Sequence, residues 1–481
     1  MNTLNRRSFL KTTALTGAAL SLSPRSWAQV AGANNDIRVA VIGFHGQGGS
    51  HIGSLLKAKG ARITALCDCD TEVLANGAKR VGGNVETYTD IRKLLESKNV
   101  DAVSIATPNH WHALGTIWAI QAGKDVYVEK PVSHNVSEGR RMVEFARKHN
   151  KIVQTGTQSR SSREGIAAAV EWVKAGNIGK IKASRGLCYK PRGSIGKSTQ
   201  PLAIPANIDF DLWCGPAEKL PIVRKKLHYD WHWVWNTGNG DLGNQGIHEM
   251  DVARWFLGVN ELSPRVFAVG GRLGYIDDGE TPNTMVIYHD YPGAPLIYEV
   301  RGLPSKTGSK DMDSYMGAKI GIVVECEGGH VTVPSYNDAK AYDTAGKLLK
   351  EFKGSVGHHD NWLKAVRSRK IEDLHADILE GHLSSALCHT GNISYRLGQQ
   401  MGPEQIEEAV RNDSVAAEAC ERAYEHLQAN GVDLSQDKAT LGVVLKMDPK
   451  TEQFTEGPSL DKANALLTRP YRPGFVVPAK A

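Results

Sequence analysis

Short β-branched runs alternate with segments of helical spacing along the first third of the chain. A strand-like run over 37–42 ends in glycines, and further runs at 62–68, 102–106 and 125–128 are separated by amphipathic stretches. Strands that alternate with helices form βαβ units around a parallel sheet. The pattern therefore predicts an α/β domain of this kind over 35–157.

The pattern changes in the middle of the chain. A helix over 165–175 and a strand over 180–189 precede an irregular stretch at 190–239 that is rich in Pro, Gly and Trp. Five apolar runs then predict successive antiparallel strands at 266–269, 284–288, 296–300, 319–324 and 330–333. We expect a second, α+β domain with a largely antiparallel sheet over 158–400, and a C-terminal helix with an extended tail over 401–481.

The composition excludes several classes of protein. The 481 residues include 58 Lys and Arg against 52 Asp and Glu, and 41% are hydrophobic, which excludes a disordered chain or one with many membrane spans. The net charge of +6 is dispersed along the chain, so nothing indicates a nucleic-acid partner. The seven cysteines are odd in number, and Cys67 and Cys69 have no second pair at metal spacing, so we predict neither a disulfide framework nor a metal site.

Two arginines near the N-terminus precede an apolar run. Arg6 and Arg7 lead into an apolar stretch over 12–22, which is followed by small residues up to Ala28. This order predicts a twin-arginine signal peptide over 1–28, and hence an exported, periplasmic protein. The run has about 11 residues, fewer than the roughly 20 that span a membrane, so we expect no stable membrane span after processing. The alternative is a frayed basic helix without a targeting role.

Glycines follow the first predicted strand. The segment 43–48 reads Gly-Phe-His-Gly-Gln-Gly, with His45 where the strict G-x-G-x-x-G motif has glycine. Such a turn lets the backbone approach a pyrophosphate, which the N-terminus of the next helix binds through free N–H groups. Asp68 ends the second predicted strand, where a carboxylate binds ribose hydroxyls and repels a 2′-phosphate. We predict a Rossmann domain that binds NAD; the alternative is a structural turn without a cofactor.

Polar segments follow two other strands of the predicted sheet. Thr107, Asn109 and His112 come after the run at 102–106, and Glu129-Lys130-Pro131 comes after the run at 125–128. Ligands of open α/β sheets bind at this edge. A third segment, which contains Asn244 and His248, opens a predicted helix of the second domain.

With these motifs, the chain over 37–397 resembles the Gfo/Idh/MocA (glucose-fructose oxidoreductase / inositol dehydrogenase) family. The resemblance implies that Lys130 approaches the substrate hydroxyl and the nicotinamide, that Glu129 and Asn109 line the nicotinamide side, and that His248 acts as acid and base. It also implies a cis bond before Pro131. The residues expected to bind NAD are Gly43, His45, Gly46, Gln47, Gly48, Asp68, Thr107, Asn109, His112, Glu129 and Lys130.

Asn244 stands where the family usually carries Asp. An amide cannot accept a proton, so a Lys–Asp–His relay is not available at this position, and Asp241, Asp251 and His232 are alternative partners of His248. The side-chain types fit hydride chemistry independently. Oxidation of a C–H bond requires removal of the hydroxyl proton, which a neutral His or a buried Lys with a lowered pKa assists.

Aromatic and polar residues alternate over 228–235. Such surfaces suit the apolar faces and hydroxyl edges of sugars, although a loop packed in the core or at an oligomer contact has the same pattern. The residues expected to contact the substrate are Tyr189, Arg192, Trp231, His232, Asn244 and His248. His358, His359, His389 and Asn392 form either a third wall of the site or an interface.

Export restricts the possible reactions. Because an exported enzyme has no supply of free nicotinamide cofactor, its NAD has to stay bound and be recycled within the site. We expect an NAD-dependent oxidoreductase that acts on a sugar or sugar derivative with a tightly bound, internally recycled cofactor. The alternatives are an NAD-dependent, redox-neutral glycoside hydrolase and a noncatalytic sugar-binding protein. A homo-oligomer is expected by analogy with the fold alone.

Overall fold

The structure is a computed structural model that describes residues 36–481. The segment 1–28, in which the sequence predicts a twin-arginine signal, lies outside the described residues, and the signal stays a prediction. Among the described residues, no helix has both the length and the apolar character needed to cross a bilayer.

The first domain is a sheet of six parallel strands with helices on both faces, as the alternating pattern predicts. Its strands, which lie in the order β3-β2-β1-β4-β5-β6, are β1 Ile37–Ile42, β2 Ala61–Cys67, β3 Glu86–Tyr88, β4 Ala102–Ile105, β5 Asp125–Val128 and β6 Val153–Thr155. Its helices are α1 Gln47–Leu55, α2 Thr71–Val81, α3 Ile91–Leu95, α4 Asn109–Gln121 and α5 Val136–Lys148. The strand order reverses between β1 and β4, so a crevice opens at their carboxyl ends.

Both faces of β1 are buried from Val39 onward, which explains the apolar run that follows Arg38. Val39 and Val41 pack into the core on one face of the sheet, and Ala40 and Ile42 pack into the core on the other. Successive side chains of a strand point to opposite faces, so a central strand of a covered sheet has no solvent-facing positions.

The second domain contains a sheet of twelve strands. These are β7 Ile181–Tyr189, β8 Arg265–Gly271, β9 Thr284–His289, β10 Leu296–Arg301, β11 Ile320–Cys326, β12 Gly329–Val333, β13 Ala339–Asp343, β14 Leu348–Phe352, β15 Gln399–Met401, β16 Ala439–Leu441, β17 Leu445–Asp448 and β18 Gln453–Glu456. The main path runs β14-β13-β12-β11-β7-β10-β9-β8-β16-β15, while β17 pairs with β8 and β18. Only β7 and β10 pair in parallel among these strands, so the sheet is largely antiparallel, as predicted.

The helices that follow α5 include those that cover both faces of this sheet. They are α6 Ala168–Lys174, α7 Phe210–Cys214, α8 Leu227–Asp230, α9 Ile247–Leu257, α10 His358–Ser368, α11 Ile378–Arg396, α12 Pro403–Val410, α13 Ser414–Ala429 and α14 Leu460–Ala465. On one face, α9 and α11 pack over the main core, and α11 also contacts α5 of the first domain. On the other face, α12 and α13 cover Phe267, Val286 and Ile297.

The prediction for the C-terminal region needs correction. Residues 401–481 are not a helix with an extended tail: they contain three helices, and β16 and β17 add to the main sheet beside β8. Strands of three or four residues carry too little alternation to be recognised from sequence. The end of the chain then crosses to the first domain, where Phe475 and Val477 are buried in its core.

We expect the C-terminal end to stabilise the first domain. Phe475 is 4% exposed and its ring packs edge-on against Trp111 at 5.7 Å. Phe475→Ala should lower the free energy of unfolding by about 3 kcal/mol, since it removes a buried aromatic ring. The neighbouring Val476 is 53% exposed, so Val476→Ala should change it by less than about 0.5 kcal/mol. Urea unfolding followed by circular dichroism measures both, and equal effects would contradict this account.

Candidate functional site

A cleft of about 840 Å³ lies at the carboxyl ends of β1, β2, β4 and β5, facing the second domain. The structure brings most of the residues that the sequence singles out to this cleft. They are Gly43, His45, Gly46, Gln47, Asp68, Thr107, Asn109, His112, Glu129, Lys130, Trp231, His232, Asn244, His248, His358 and His359.

The glycine turn after β1 is shaped by close backbone contacts. A Cβ on Gly43 would lie 2.8 Å from the Thr107 backbone, and a Cβ on Gly48 would lie 2.0 Å from the Gly43 carbonyl oxygen. Gly48 therefore closes the turn and does not itself line the cleft. Gly46 has open space above it and precedes α1, whose N-terminus has no side-chain cap. The free N–H groups there form a cradle that fits a pyrophosphate.

Asp68 is fixed at the end of β2, beside the glycine turn. One carboxylate oxygen accepts a hydrogen bond from the Phe44 N–H and the other accepts one from the Asp70 N–H, each at 3.0 Å. Burial raises the pKa of Asp68, while the two N–H groups oppose this by stabilising its charged form. The carboxylate is thus held where the adenosine ribose of a dinucleotide lies in a Rossmann domain.

A pair of stacked histidines lines the cleft beside the glycine turn. The rings of His45 and His228 are stacked, with centroids 4.2 Å apart and an interplanar angle of 12°. His228 belongs to α8 of the second domain, and its Nε2 lies 2.9 Å from a carboxylate oxygen of Asp70. Asn207 also donates to Asp70 at 2.8 Å. The irregular stretch that the sequence shows at 190–239 is therefore a cover that is attached to the first domain.

Glu129 and Lys130 lie at the centre of the cleft. Lys130 Nζ donates to the main-chain carbonyl of Asn244 at 2.8 Å, and burial lowers the pKa of Lys130. Burial opposes ionisation of Glu129, but the hydrogen bond with His51 and the nearby positive charges, that of Lys130 among them, lower the pKa of Glu129. The Lys130–Pro131 bond is cis, as the resemblance implies.

His112 and Asn109 hold the adjoining segments together. The two ring nitrogens of His112 lie 2.6 and 2.7 Å from the carbonyl oxygens of Pro131 and Thr107. Asn109 donates to the side chain of Asn239 in the second domain at 3.1 Å. Both residues are almost fully buried. Their main effect is therefore to hold in place the chain segments that follow β4 and β5.

His248 faces the cleft without a partner among residues 36–481. Its Nδ1 is buried and forms no hydrogen bond there, while Tyr336 packs edge-on against its ring at 5.0 Å. Burial, reinforced by the charge of Lys130, lowers its pKa well below the usual value. Neutral imidazole is the form that can accept a proton.

None of the three alternative partners of His248 bonds to it in this structure. Asp241 is paired with Arg192 at 2.6 Å, and Asp251 is paired with Arg160 at 2.8 Å. His232 Nδ1 lies 2.5 Å from the Tyr229 carbonyl oxygen, and burial lowers the pKa of His232 to about 3. The Asn244 amide forms no side-chain hydrogen bond within the described residues and lines the cleft.

Two residues expected at the substrate lie elsewhere, and these predictions are corrected. Tyr189 is 1% exposed and its hydroxyl donates to Glu299 at 2.6 Å inside the second sheet. Arg192 is held in its ion pair with Asp241 and lies 5.0 Å above the Trp233 ring. Each side chain binds a carboxylate that is distant in the sequence, so the residues next to it in the chain could not indicate this partner. His389 and Asn392 line a different cavity.

The cleft also contains residues that the sequence analysis missed. Gln158 donates to Glu129 at 3.2 Å, and His51 contacts both Glu129 and Ser104. Tyr336 follows β12 and faces His248. Gln158 could have been found, because it follows β6 at the same sheet edge; His51 and Tyr336 carry no comparable signal.

Comparisons with known proteins agree with this architecture. The chain matches two models of one oxidoreductase family: the NAD-binding Rossmann fold over 37–157 and the C-terminal alpha/beta domain over 175–299. Inositol 2-dehydrogenase of Rubrobacter xylanophilus is 33% identical over 349 residues, which cover 71% of this chain and 82% of that enzyme.

Two further proteins show the range of the similarity. A glycosyl hydrolase family 109 protein of Shewanella sp. (strain ANA-3) is 33% identical over 163 residues, which cover 29% of this chain and 36% of that protein. The crystal structure of the WlbA dehydrogenase from Bordetella pertussis, in complex with NADH and UDP-GlcNAcA, has a TM-score of 0.53 at 20% identity, covering 73% of this chain and 94% of that one. At 20% identity, this similarity is evidence for a shared fold alone.

The buried carboxyl of Glu249, one residue after His248, makes stability depend on pH. Burial raises its pKa to about 8. Since an unfolded Glu titrates near 4.3, the folded state holds an extra proton between these values, so this stabilisation is complete at low pH and is lost as the pH rises through about 8.

Glu249→Gln removes this titration and keeps an acceptor for the Gln245 amide, which bonds Glu249 at 2.9 Å. We expect the variant to unfold about 2 °C or more above the wild type at about pH 9, with a smaller difference at about pH 5. Glu261→Gln changes an exposed carboxyl near the same helix and is the control. Thermal unfolding measures all three proteins, and a gain for Glu249→Gln that is independent of pH would contradict the assignment.

Proposed function

The chain belongs to the Gfo/Idh/MocA family of NAD-binding oxidoreductases, and on that premise we propose that it transfers hydride between a sugar or sugar derivative and a tightly bound, internally recycled NAD. The observation that carries the proposal is the position of Lys130 Nζ, which donates to the Asn244 carbonyl in a cleft that also contains the glycine turn and His248. The similarity to inositol 2-dehydrogenase supports a polyol or sugar as substrate.

Some residues of the cleft bind the cofactor and the substrate, and others transfer protons. The glycine turn, the N-terminus of α1 and Asp68 fit the pyrophosphate and ribose of NAD, which supplies the hydride acceptor when bound. Lys130 holds the substrate hydroxyl, and because burial lowers the pKa of its ammonium, release of a proton is easier than from a free lysine. His248, whose ring lines the cleft, accepts or returns a proton at the substrate. Asn244 contributes an amide hydrogen bond to the substrate.

A second candidate is a redox-neutral glycoside hydrolase. The observation that favours it is the similarity to a glycosyl hydrolase family 109 protein, which covers 163 residues. In this reaction hydride is taken from a sugar carbon and later returned, and the same Lys130 and His248 move the protons of elimination and water addition. Cleavage of an aryl glycoside without accumulation of NADH distinguishes it from net oxidation.

We further propose that the protein is exported through the twin-arginine route, in a folded state that carries its NAD. The support is the Arg6-Arg7 motif and the stacked pair of His45 and His228 at the cleft, which suits a retained cofactor. A homo-oligomer is also proposed. Because α12 and α13 cover the sheet at β8–β10, the partner has to use another surface.

The test of the proposal is turnover by a Lys130→Ala variant on inositols, sugars and aryl glycosides. We expect the variant to keep bound NAD and to lose about 10²- to 10⁴-fold in kcat, since a positioned acid–base group is removed. Lys124→Ala is the matched control, because Lys124 Nζ also donates to main-chain carbonyls, those of Ser97 and Val100, away from the cleft. Unchanged turnover would remove Lys130 from the mechanism, and intact sugar binding without any turnover in the wild type would favour the noncatalytic protein.

We expect the stacked pair of His45 and His228 to slow the dissociation of NAD. His228→Ala removes the ring stacked on His45 and the contact with Asp70, so bound nucleotide should dissociate about tenfold faster. His330→Ala is the control, because His330 is stacked on Tyr342 at 5.1 Å in the second sheet. Nucleotide remaining after timed dialysis measures both variants; equal loss from both would mean that the pair does not retain the cofactor.

A further inference from the structure

The carboxylate of Glu129 is fixed by contacts on each of its oxygens. Its Oε1 lies 3.1 Å from His51 Nε2 and accepts a hydrogen bond from the Gln158 amide at 3.2 Å, while its Oε2 accepts one from the Lys130 N–H at 3.2 Å. A Cβ on Gly156 would lie 2.7 Å from Oε1. The carboxylate is therefore packed against the backbone at Gly156 and has little freedom to turn.

His51 reaches this carboxylate from the middle of α1. It is fully buried, and its other ring nitrogen, Nδ1, lies 2.8 Å from the Ser104 hydroxyl oxygen on β4. The rings of Tyr127 and His359 pack edge-on against its ring at 5.1 and 5.0 Å. Because Ser104 is also fully buried, the contacts from Ser104 through His51 to Glu129 present no nucleophile to the cleft. Their effect is to hold the imidazole with Nε2 directed at Glu129.

The charge on Lys130 depends on this carboxylate more than on any other. The charges that favour the ammonium form of Lys130 come from Glu129, Glu249 and Asp241. Burial raises the pKa of Glu249 to about 8, so this carboxyl is largely neutral at neutral pH. Asp241 forms an ion pair with Arg192 at 2.6 Å, which offsets its charge. Burial opposes ionisation of Glu129, but the histidine contact and the nearby positive charges lower its pKa and keep it charged.

The other titratable groups near the pair do not replace Glu129. Lys190 is a cation and acts against the ammonium of Lys130. The remaining groups are His112 of α4, Tyr127 of β5, His248 of α9, and His358 and His359 of α10. Burial lowers the pKa of each of these histidines and raises that of the tyrosine. They are therefore neutral at neutral pH, and Glu129 is the anion that opposes deprotonation of Lys130.

We propose that His51 is a positioning residue for the acid–base lysine: it holds the Glu129 carboxylate in place and in its charged form, and Glu129 in turn holds the proton on Lys130. The inference rests on the proposed function, in which Lys130 moves a proton. Without His51, the buried carboxyl of Glu129 would take up a proton, since an uncompensated charge in the interior is costly. Lys130 would then lose the largest charge that favours its ammonium form, and it would release its proton at lower pH.

The test is a pH titration of Lys130 in the full chain loaded with NAD, followed by nuclear magnetic resonance of ¹³C-labelled lysine. The signal of Lys130 is the one that is absent from Lys130→Ala. We expect His51→Leu to lower the pKa of Lys130, so that its proton affinity falls about tenfold. The conservative variant His51→Gln keeps an N–H donor for Glu129 and should restore most of the wild-type affinity. His382→Leu is the matched control and should change nothing at Lys130, because His382 is also fully buried and lies 2.8 Å from a carboxylate oxygen of Glu452, outside the cleft.

A second variant keeps the test decisive if His51→Leu does not fold. Glu129→Gln removes the charge with almost no change in volume, so it should lower the pKa of Lys130 by a similar amount. Adding His51→Leu to Glu129→Gln should then have little further effect, because both substitutions act through one carboxylate. The proposal is overturned if Glu129→Gln leaves the pKa of Lys130 unchanged, if His382→Leu lowers it as much as His51→Leu does, or if the effects of the two cleft substitutions simply add.

The pH dependence of kcat/KM separates this inference from the proposed function. For oxidation of a hydroxyl, the rising limb of the profile should move to lower pH in His51→Leu, together with the pKa of Lys130. A limb that stays in place while this pKa falls would overturn the acid–base role of Lys130, and with it the proposed function. An unchanged pKa of Lys130 in His51→Leu would overturn the role of His51 and leave the proposed function standing.

Discussion

The hydrogen bond from Lys130 to the Asn244 carbonyl connects the candidate catalytic lysine of the first domain to the segment of the second domain that carries His248. A buried ammonium requires acceptors, and here the acceptor is a main-chain oxygen of the other domain, 2.8 Å away. The turn Leu242–Gly246 presents that oxygen and leads directly into α9, which carries His248. Because α11 packs against both α5 and α9, the two domains hold this contact in a fixed geometry.

The placement of the glycine turn, Asp68 and Lys130 at one cleft follows from local rules, and for that reason it could be predicted from the sequence. Alternating strands and helices indicate a parallel sheet, and the carboxyl ends of its strands mark the ligand edge. Gly43, Asp68 and Lys130 each follow one of these strands and converge at the cleft. The close approach of Gly48 to the Gly43 carbonyl explains why a glycine is needed there, whereas the position occupied by His45 tolerates a ring that stacks on His228.

Other side chains and strands are placed by partners that are distant in sequence, so local patterns could not predict their positions. Tyr189 is drawn into the sheet by Glu299, and Arg192 is drawn to Asp241. His51, which no motif marks, reaches Glu129 across the sheet. The short strands of the C-terminal region, such as β16, exist only because β8 offers an edge to pair with. In each case tertiary contacts, and not local propensity, decide where the side chain or strand lies.

The central claim is that NAD remains in this cleft and accepts hydride from a polyol or sugar. The most direct measurement is to purify the protein without added cofactor, add myo-inositol and a panel of sugars to the native protein, and follow NADH absorbance before identifying the released nucleotide by mass. The account predicts co-purified NAD and formation of at most one NADH per chain with a productive substrate. Absence of nucleotide, together with no binding when NAD is supplied, would contradict it.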